Sequence, residues 1–175
     1  MERVSWITSR LAVALAFVMS GVYASPGAAA GDVVRADLEG HPIAAAEVGH
    51  YHCEDLDFPV IHCYRQAADL ERAVAARFAL GRAEADGPQA AGPYVRVFAD
   101  AGLTGASAYF STAYDDLSSI GWNDRITSFQ GLAGGGGSFF TNAYASGVAY
   151  PFSAYQQVTN VGSTFNDTFS SVRPR

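Results

Sequence analysis

The string Asn123-Asp124-Arg125-Ile126-Thr127-Ser128 (NDRITS) recurs as Asn166-Asp167-Thr168-Phe169-Ser170-Ser171 (NDTFSS), 43 residues later. The shared form is Asx-Asx-x-x-Ser/Thr-Ser, placed in both copies where a loop runs into a strand. Its side chains offer carboxylate and hydroxyl oxygens, and a turn there exposes backbone carbonyls. These are hard oxygen donors of the kind Ca²⁺ gathers, six to eight at a time. The string holds no sulfur or imidazole ligand, which argues against Zn²⁺ or Cu²⁺. Turn capping by Asn and Ser alone is the plainer reading, but it does not account for the whole matched string.

The repeat extends upstream. FADAGLTG at 98–105 matches FTNAYASG at 140–147, offset by 42, and Phe110 matches Phe152 at the same offset. Strand patterns fall in both copies: YVRVFA (94–99), SAYFS (107–111) and VAYPF (148–152), with turn residues between. The glycine run 134–137 separates the copies. A repeat of about forty residues with short strands cannot bury its own face, so the two must pack together. The expectation is an all-β Greek-key sandwich over residues 94–175, with keys at about 94–133 and 138–173.

These residues resemble the βγ-crystallin family, in its calcium-binding microbial form. DDLSSIGWNDRITSF (115–129) carries the closer match and STFNDTFSSV (163–172) a looser one. The resemblance covers about eighty residues. It implies two Greek keys in one wedge-shaped sandwich and two Ca²⁺ ions held between the copies. It implies that one ion is held by the Arg125 carbonyl, Thr127 and Asp167, and the other by the Thr168 carbonyl, Ser170 and Asp124. A further carbonyl near Asp100 and near Asn142 would complete the sites, and Asn123 and Asn166 would brace the loops. The chain departs from the family at Leu103 and Ala145, where an aromatic residue is usual, so a looser folded hairpin is expected there.

Outward from this core, the chain of 175 residues holds eleven Arg, no Lys and seventeen Asp or Glu, a net charge of −6. An acidic chain without Lys is a poor partner for nucleic acid or an anionic membrane surface. Residues 1–30 read as a secretory signal peptide: Arg3 and Arg10, the apolar run Leu11–Met19, then small residues, with cleavage after Ala24 or, preferably, Ala30. The mature protein is then expected to be secreted and free of the membrane. Export makes Cys53 and Cys63, the only two cysteines, a disulfide pair. A zinc site built from His50, His52, His62 and these cysteines is the alternative.

Residues 31–80 read as a small helical and looped segment. A helix over 66–80 places Leu70, Val74 and Phe78 on one face, with Gly81 as its stop, and FPVIHCY (58–64) is a possible short strand. Residues 81–93 read as a linker. No nucleophile–base set, metalloprotease motif or phosphate loop appears, so no enzyme is expected. Asp115 and Asp116 read as loop acids rather than paired catalytic carboxylates. The rival function is a secreted protease inhibitor of the crystallin-like type that targets metalloproteases. No protein partner can be named from the residues.

Overall fold

The computed structural model describes residues 33–83 and 92–175. The signal peptide expected at 1–30 and most of the expected linker lie outside them. Among the described residues no helix is long and apolar enough to cross a membrane.

Seven strands build the repeat region: β5 (Val95–Asp100), β6 (Thr104–Phe110), β7 (Ser128–Gly131), β8 (Gly137–Asn142), β9 (Ser146–Phe152), β10 (Gln157–Val158) and β11 (Ser171–Pro174). In the first copy β6, β5 and β7 lie side by side; in the second, β9, β8 and β11 do the same. The third segment of each copy crosses over. β10, from the second copy, pairs antiparallel with β7 of the first. Tyr114, from the first copy, bridges Val172 in β11 of the second. Each Greek key is therefore completed by the other, as the repeat argument requires.

The two sheets close on an aromatic core. Phe110, Trp122, Phe129, Phe139 and Phe169 are almost wholly buried. Phe139 sits 5.0 Å from both Phe152 and Phe169, and 5.2 Å from Phe129, centroid to centroid. Such ring pairs add about 0.5–1.5 kcal/mol each beyond their area burial. The glycine run does more than separate the copies. Gly137 opens β8, and a Cβ on it would stand 2.4 Å from the Arg173 carbonyl oxygen. Only a residue without a side chain lets these backbones approach so closely.

The N-terminal segment differs from expectation. The helix is present as α1 (Ala67–Ala83), though it runs through Gly81. The strand expected at 58–64 is present as β4 (Val60–Tyr64). Three further strands stand where loops were expected: β1 (Arg35–Leu38), β2 (His41–Ile43) and β3 (His52–Asp57). β3 pairs in parallel with β6, so these four strands widen the larger sheet to eight: β10-β7-β5-β6-β3-β4-β1-β2. Cys53 and Cys63 face each other across β3 and β4 and form the expected disulfide. Among the described residues the smaller sheet has no such extension, and β9 stands at its edge with Pro151 in it.

The strand β3 escaped the sequence pattern because it carries acids into the interior. Glu54 and Asp55 are both buried. On the outer face of the sheet, Arg77 of α1 stands 3.3 Å from Glu54 and also pairs with Asp57. Leu70 and Val74 of α1 pack there on Tyr109 with Leu56, Tyr64 and Leu132. Phe78, expected on the same face, is outside this cluster and 40 % exposed. On the inner side, Asp55 Oδ1 accepts from the Ser111 amide at 2.6 Å and Oδ2 from the Tyr114 hydroxyl at 2.9 Å. Asp55 thus ties the N-terminal strands to the segment that crosses between sheets.

Burial pushes the Asp55 carboxyl up to about 6, against an ordinary 3.8, even though the Ser111 and Tyr114 hydrogen bonds favour its charged form. The folded state then holds this proton more tightly than the unfolded chain does, so its contribution to stability is present at low pH and is lost as pH rises through that window. Relative to Asp55→Asn, the wild-type chain is expected to lose roughly 1–3 kcal/mol of unfolding free energy between about pH 4 and pH 7. Urea titrations across that range check it; parallel curves for the two proteins would show that Asp55 is not responsible.

Candidate metal centre

Both Asx-Asx-x-x-Ser/Thr-Ser strings are turns that lead into the last strand of their key, and they share the conformation of their second residue and the bond that braces it. The second residue of each, Asp124 and Asp167, has φ of 54°. That left-handed backbone is open to Asp at small cost because its short polar side chain bonds locally. The preceding residue supplies that bond: Asn123 Nδ2 donates to Asp124 Oδ2 and Asn166 Nδ2 to Asp167 Oδ2, each at 2.7 Å. Both asparagines therefore brace the loops, in the role the resemblance implied.

The sixth residue fixes the hairpin above. Ser128 Oγ donates to the Asp100 carbonyl at 2.6 Å and accepts from the Leu103 amide at 3.1 Å. Ser171 Oγ does the same with the Asn142 carbonyl at 2.7 Å and the Ala145 amide at 3.1 Å. Both serines are fully buried. Leu103 and Ala145, the positions without the usual aromatic, have φ of 61° and 54°. The folded hairpins thus form without an aromatic clasp, because a buried hydroxyl holds each from below. The resemblance had pointed to carbonyls near Asp100 and Asn142 as ligands; those two carbonyls already accept from the serines.

Across the two copies, Thr127 Oγ1 lies 3.4 Å from Asp167 Oδ1. These oxygens come from different Greek keys. In the twin arrangement Ser170 Oγ turns instead to the Thr141 carbonyl, at 3.2 Å. The Asp124 amide donates to the Phe169 carbonyl at 3.1 Å, which holds the first loop against the second. The Thr141 carbonyl adjoins Asn142, near which the resemblance implied a further carbonyl. Nothing in a side-chain pattern signals a backbone oxygen.

A calcium ion lies 2.3–2.6 Å from each of its oxygens, so two neighbouring ligands stand about 3–3.5 Å apart. The Thr127–Asp167 separation fits that spacing. The donor set also fits: a carboxylate, a hydroxyl and a peptide carbonyl for each candidate site, all hard oxygens.

The remaining polar clusters are accounted for otherwise. Asp116 caps the 3₁₀ turn Leu117–Ile120 by accepting from the Ser118 amide, and Asp115 pairs with Arg173. Among the described residues, no group of three or more His, Cys, Asp and Glu is arranged to hold a metal. His62 lies between Asp37 and Asp57, and the cysteines are bonded to each other. His52 Nδ1 and Ser107 Oγ are 3.1 Å apart beside a groove of about 420 Å³. Ser107 is fully buried and also accepts from Arg96, so it serves the sheet and is not presented as a nucleophile.

Two Greek keys with exchanged third segments and twin braced turns give residues 94–175 a βγ-crystallin fold. No family model matches the chain, and no curated protein matches it. Solved structures are similar. A βγ-crystallin from Ciona intestinalis is 26 % identical, over 46 % of this chain and 98 % of its own, with a TM-score of 0.43. A βγ-crystallin domain from Flavobacterium johnsoniae is 24 % identical over 46 % of this chain and 91 % of its own, at 0.40. A βγ-crystallin from an archaeon is 19 % identical over 48 % and 99 %, at 0.43.

The serine clips carry a direct expectation. Ser128→Ala leaves the Leu103 amide without its partner and the Asp100 carbonyl without its donor, at a cost of about 1–3 kcal/mol. Ser171→Ala should cost a similar amount for the same reason. Urea unfolding measures both, and an unchanged midpoint in either would remove the clip from the account.

Proposed function

We propose that this chain is a secreted, non-enzymatic calcium-binding protein whose β domain takes up two Ca²⁺ ions at the junction of its Greek keys. The approach of Thr127 Oγ1 to Asp167 Oδ1, a hydroxyl of one key against a carboxylate of the other, carries the reading. One ion would be held by the Arg125 carbonyl, Thr127 and Asp167. The second would be held by the Thr168 carbonyl, Ser170 and Asp124, with the Thr141 carbonyl beside Ser170 as an added donor. Each ion would supply a positive charge that draws oxygens of both keys together, so its chemistry is cross-linking rather than catalysis.

One formal carboxylate per site sets the strength. Such sites suit the extracellular range of about 10⁻⁴–10⁻³ M rather than that of a cytosolic buffer. Binding to the folded form alone stabilises it by linkage, which makes structural stabilisation outside the cell the simplest role. Export rests on the residue pattern at 1–30, and the Cys53–Cys63 disulfide agrees with an oxidising compartment.

Calorimetric titration of the full mature chain should give two ions, and thermal unfolding should occur at a higher temperature in millimolar Ca²⁺ than in chelator. Asp167→Ala should remove one binding event and Asp124→Ala the other; heats unchanged by both substitutions would overturn the ligand assignment. For export, N-terminal sequencing of the secreted chain is expected to start at Gly31, or at Ser25 if the earlier site is cut. A product that retains residue 1 would refute the signal reading.

A further inference from the structure

The two loops that would hold calcium are alike in hydrogen bonding but not in what lies behind them. Behind the first is the 3₁₀ turn Ala45–His50 of the N-terminal segment, with Val48 and Gly49 buried. Its backbone meets the backbone of Gly121, two residues before Asn123. A Cβ on Gly49 would stand 2.0 Å from the Gly121 carbonyl oxygen and 3.4 Å from Arg125 Nε. A Cβ on Gly121 would stand 2.1 Å from the Ala46 carbonyl oxygen. The contact is thus backbone on backbone in both directions, and Gly121 itself has φ of 68°. Arg125, whose carbonyl is a proposed ligand, keeps its Nε enclosed at this junction.

Among the described residues the second loop has no such backing. The residues equivalent in approach, Gly162, Ser163 and Thr164, are exposed, and a Cβ on Gly162 would meet nothing within 4 Å. The difference continues into the loops. Trp122 is fully buried where its counterpart Phe165 is half-buried, and Thr127 is buried where Ser170 is half-buried.

We propose that the 3₁₀ turn Ala45–His50 is a positioning element for the first calcium loop: by pressing Gly49 on Gly121 it fixes the Arg125 carbonyl and Thr127, so the ion held there binds more tightly than the ion at Ser170. This inference rests on the calcium reading above. It gives the N-terminal strands a task in binding that the βγ-crystallin resemblance, which leaves those residues aside, does not. The physical reason is preorganisation. A loop already held in its bound shape loses less conformational freedom when the ion arrives. Residues that orient metal ligands without touching the metal typically change affinity by about 10–100-fold when altered.

Two substitutions in the full chain test it. Gly49→Ala wedges the turn away from Gly121. Glu47→Ala removes the carboxylate that accepts from the Ala44 amide and loosens the turn without adding bulk. Calcium titration of wild type should show two unequal sites. Gly49→Ala is expected to weaken the tighter one by about tenfold or more and leave the other within about threefold. Glu47→Ala should act in the same direction with a smaller effect. The same Gly49→Ala change in a Thr127→Ala background, where the first site is already weakened, should add little. That pattern separates positioning from a general loss of stability, which would not single out one ion. Equal sites in wild type overturn the proposal, as does an unaltered tighter site in a folded Gly49→Ala protein. If Gly49→Ala does not fold, Glu47→Ala decides: selective weakening supports the proposal and unchanged affinities overturn it. A wild-type chain that takes up no calcium sinks the calcium reading itself, a result distinct from two bound ions that ignore the turn.

Discussion

Neither Greek key of this protein can finish its own sheet. Each holds three strands side by side and sends its third segment to the other, β10 to β7 and Tyr114 to Val172. This exchange is the constraint on which the rest depends. It obliges the two sheets to face each other closely, which is why the interior is filled by rings from both copies. It also lays the first turn against the second, so that an oxygen at Thr127 meets one at Asp167. A single copy would expose its aromatic face and would hold only one of these two oxygens.

Much of this was legible from residue order. The matched strings at 123–128 and 166–171 marked both turns and the bracing asparagines, because an identical backbone task selects identical residues. The disulfide followed from two cysteines and an export pattern. What the sequence hid was hidden for physical reasons. β3 reads as a charged loop, since Glu54, Asp55 and Asp57 suggest solvent. Its partners, Arg77 from the helix and Ser111 and Tyr114 from the crossing segment, are distant in the chain and make burial tolerable. Gly81 looked like a helix stop, yet the cost of about 1 kcal/mol for glycine in a helix is too small to dictate an end. In the site, the serine clips were visible as serines but their task was not, because it consists of backbone atoms on another strand.

The N-terminal strands change the character of the domain. A two-fold repeat would be expected to treat its halves alike, and the serine clips and asparagine braces do so. The added strands break that equivalence at the β6 edge and, through the turn at 45–50, behind the first loop. Asp55 and the Arg77 pairs anchor the addition on opposite faces of the sheet, so it is held as part of the larger sheet rather than as an appendage.

The fate of the two outer edges differs accordingly. β6 spends its free hydrogen-bonding side on β3, while its twin β9, paired with β8 on one side, has no strand on its outer side among the described residues. Proline has no N–H to donate, and proteins place it on border strands to discourage unwanted pairing. Pro151 breaks the row of donors along β9, so a passing strand from another molecule finds no continuous template there. In a chain that is dense in rings and low in charge, an imino acid at such a border is the kind of device that makes edge-to-edge stacking less favourable.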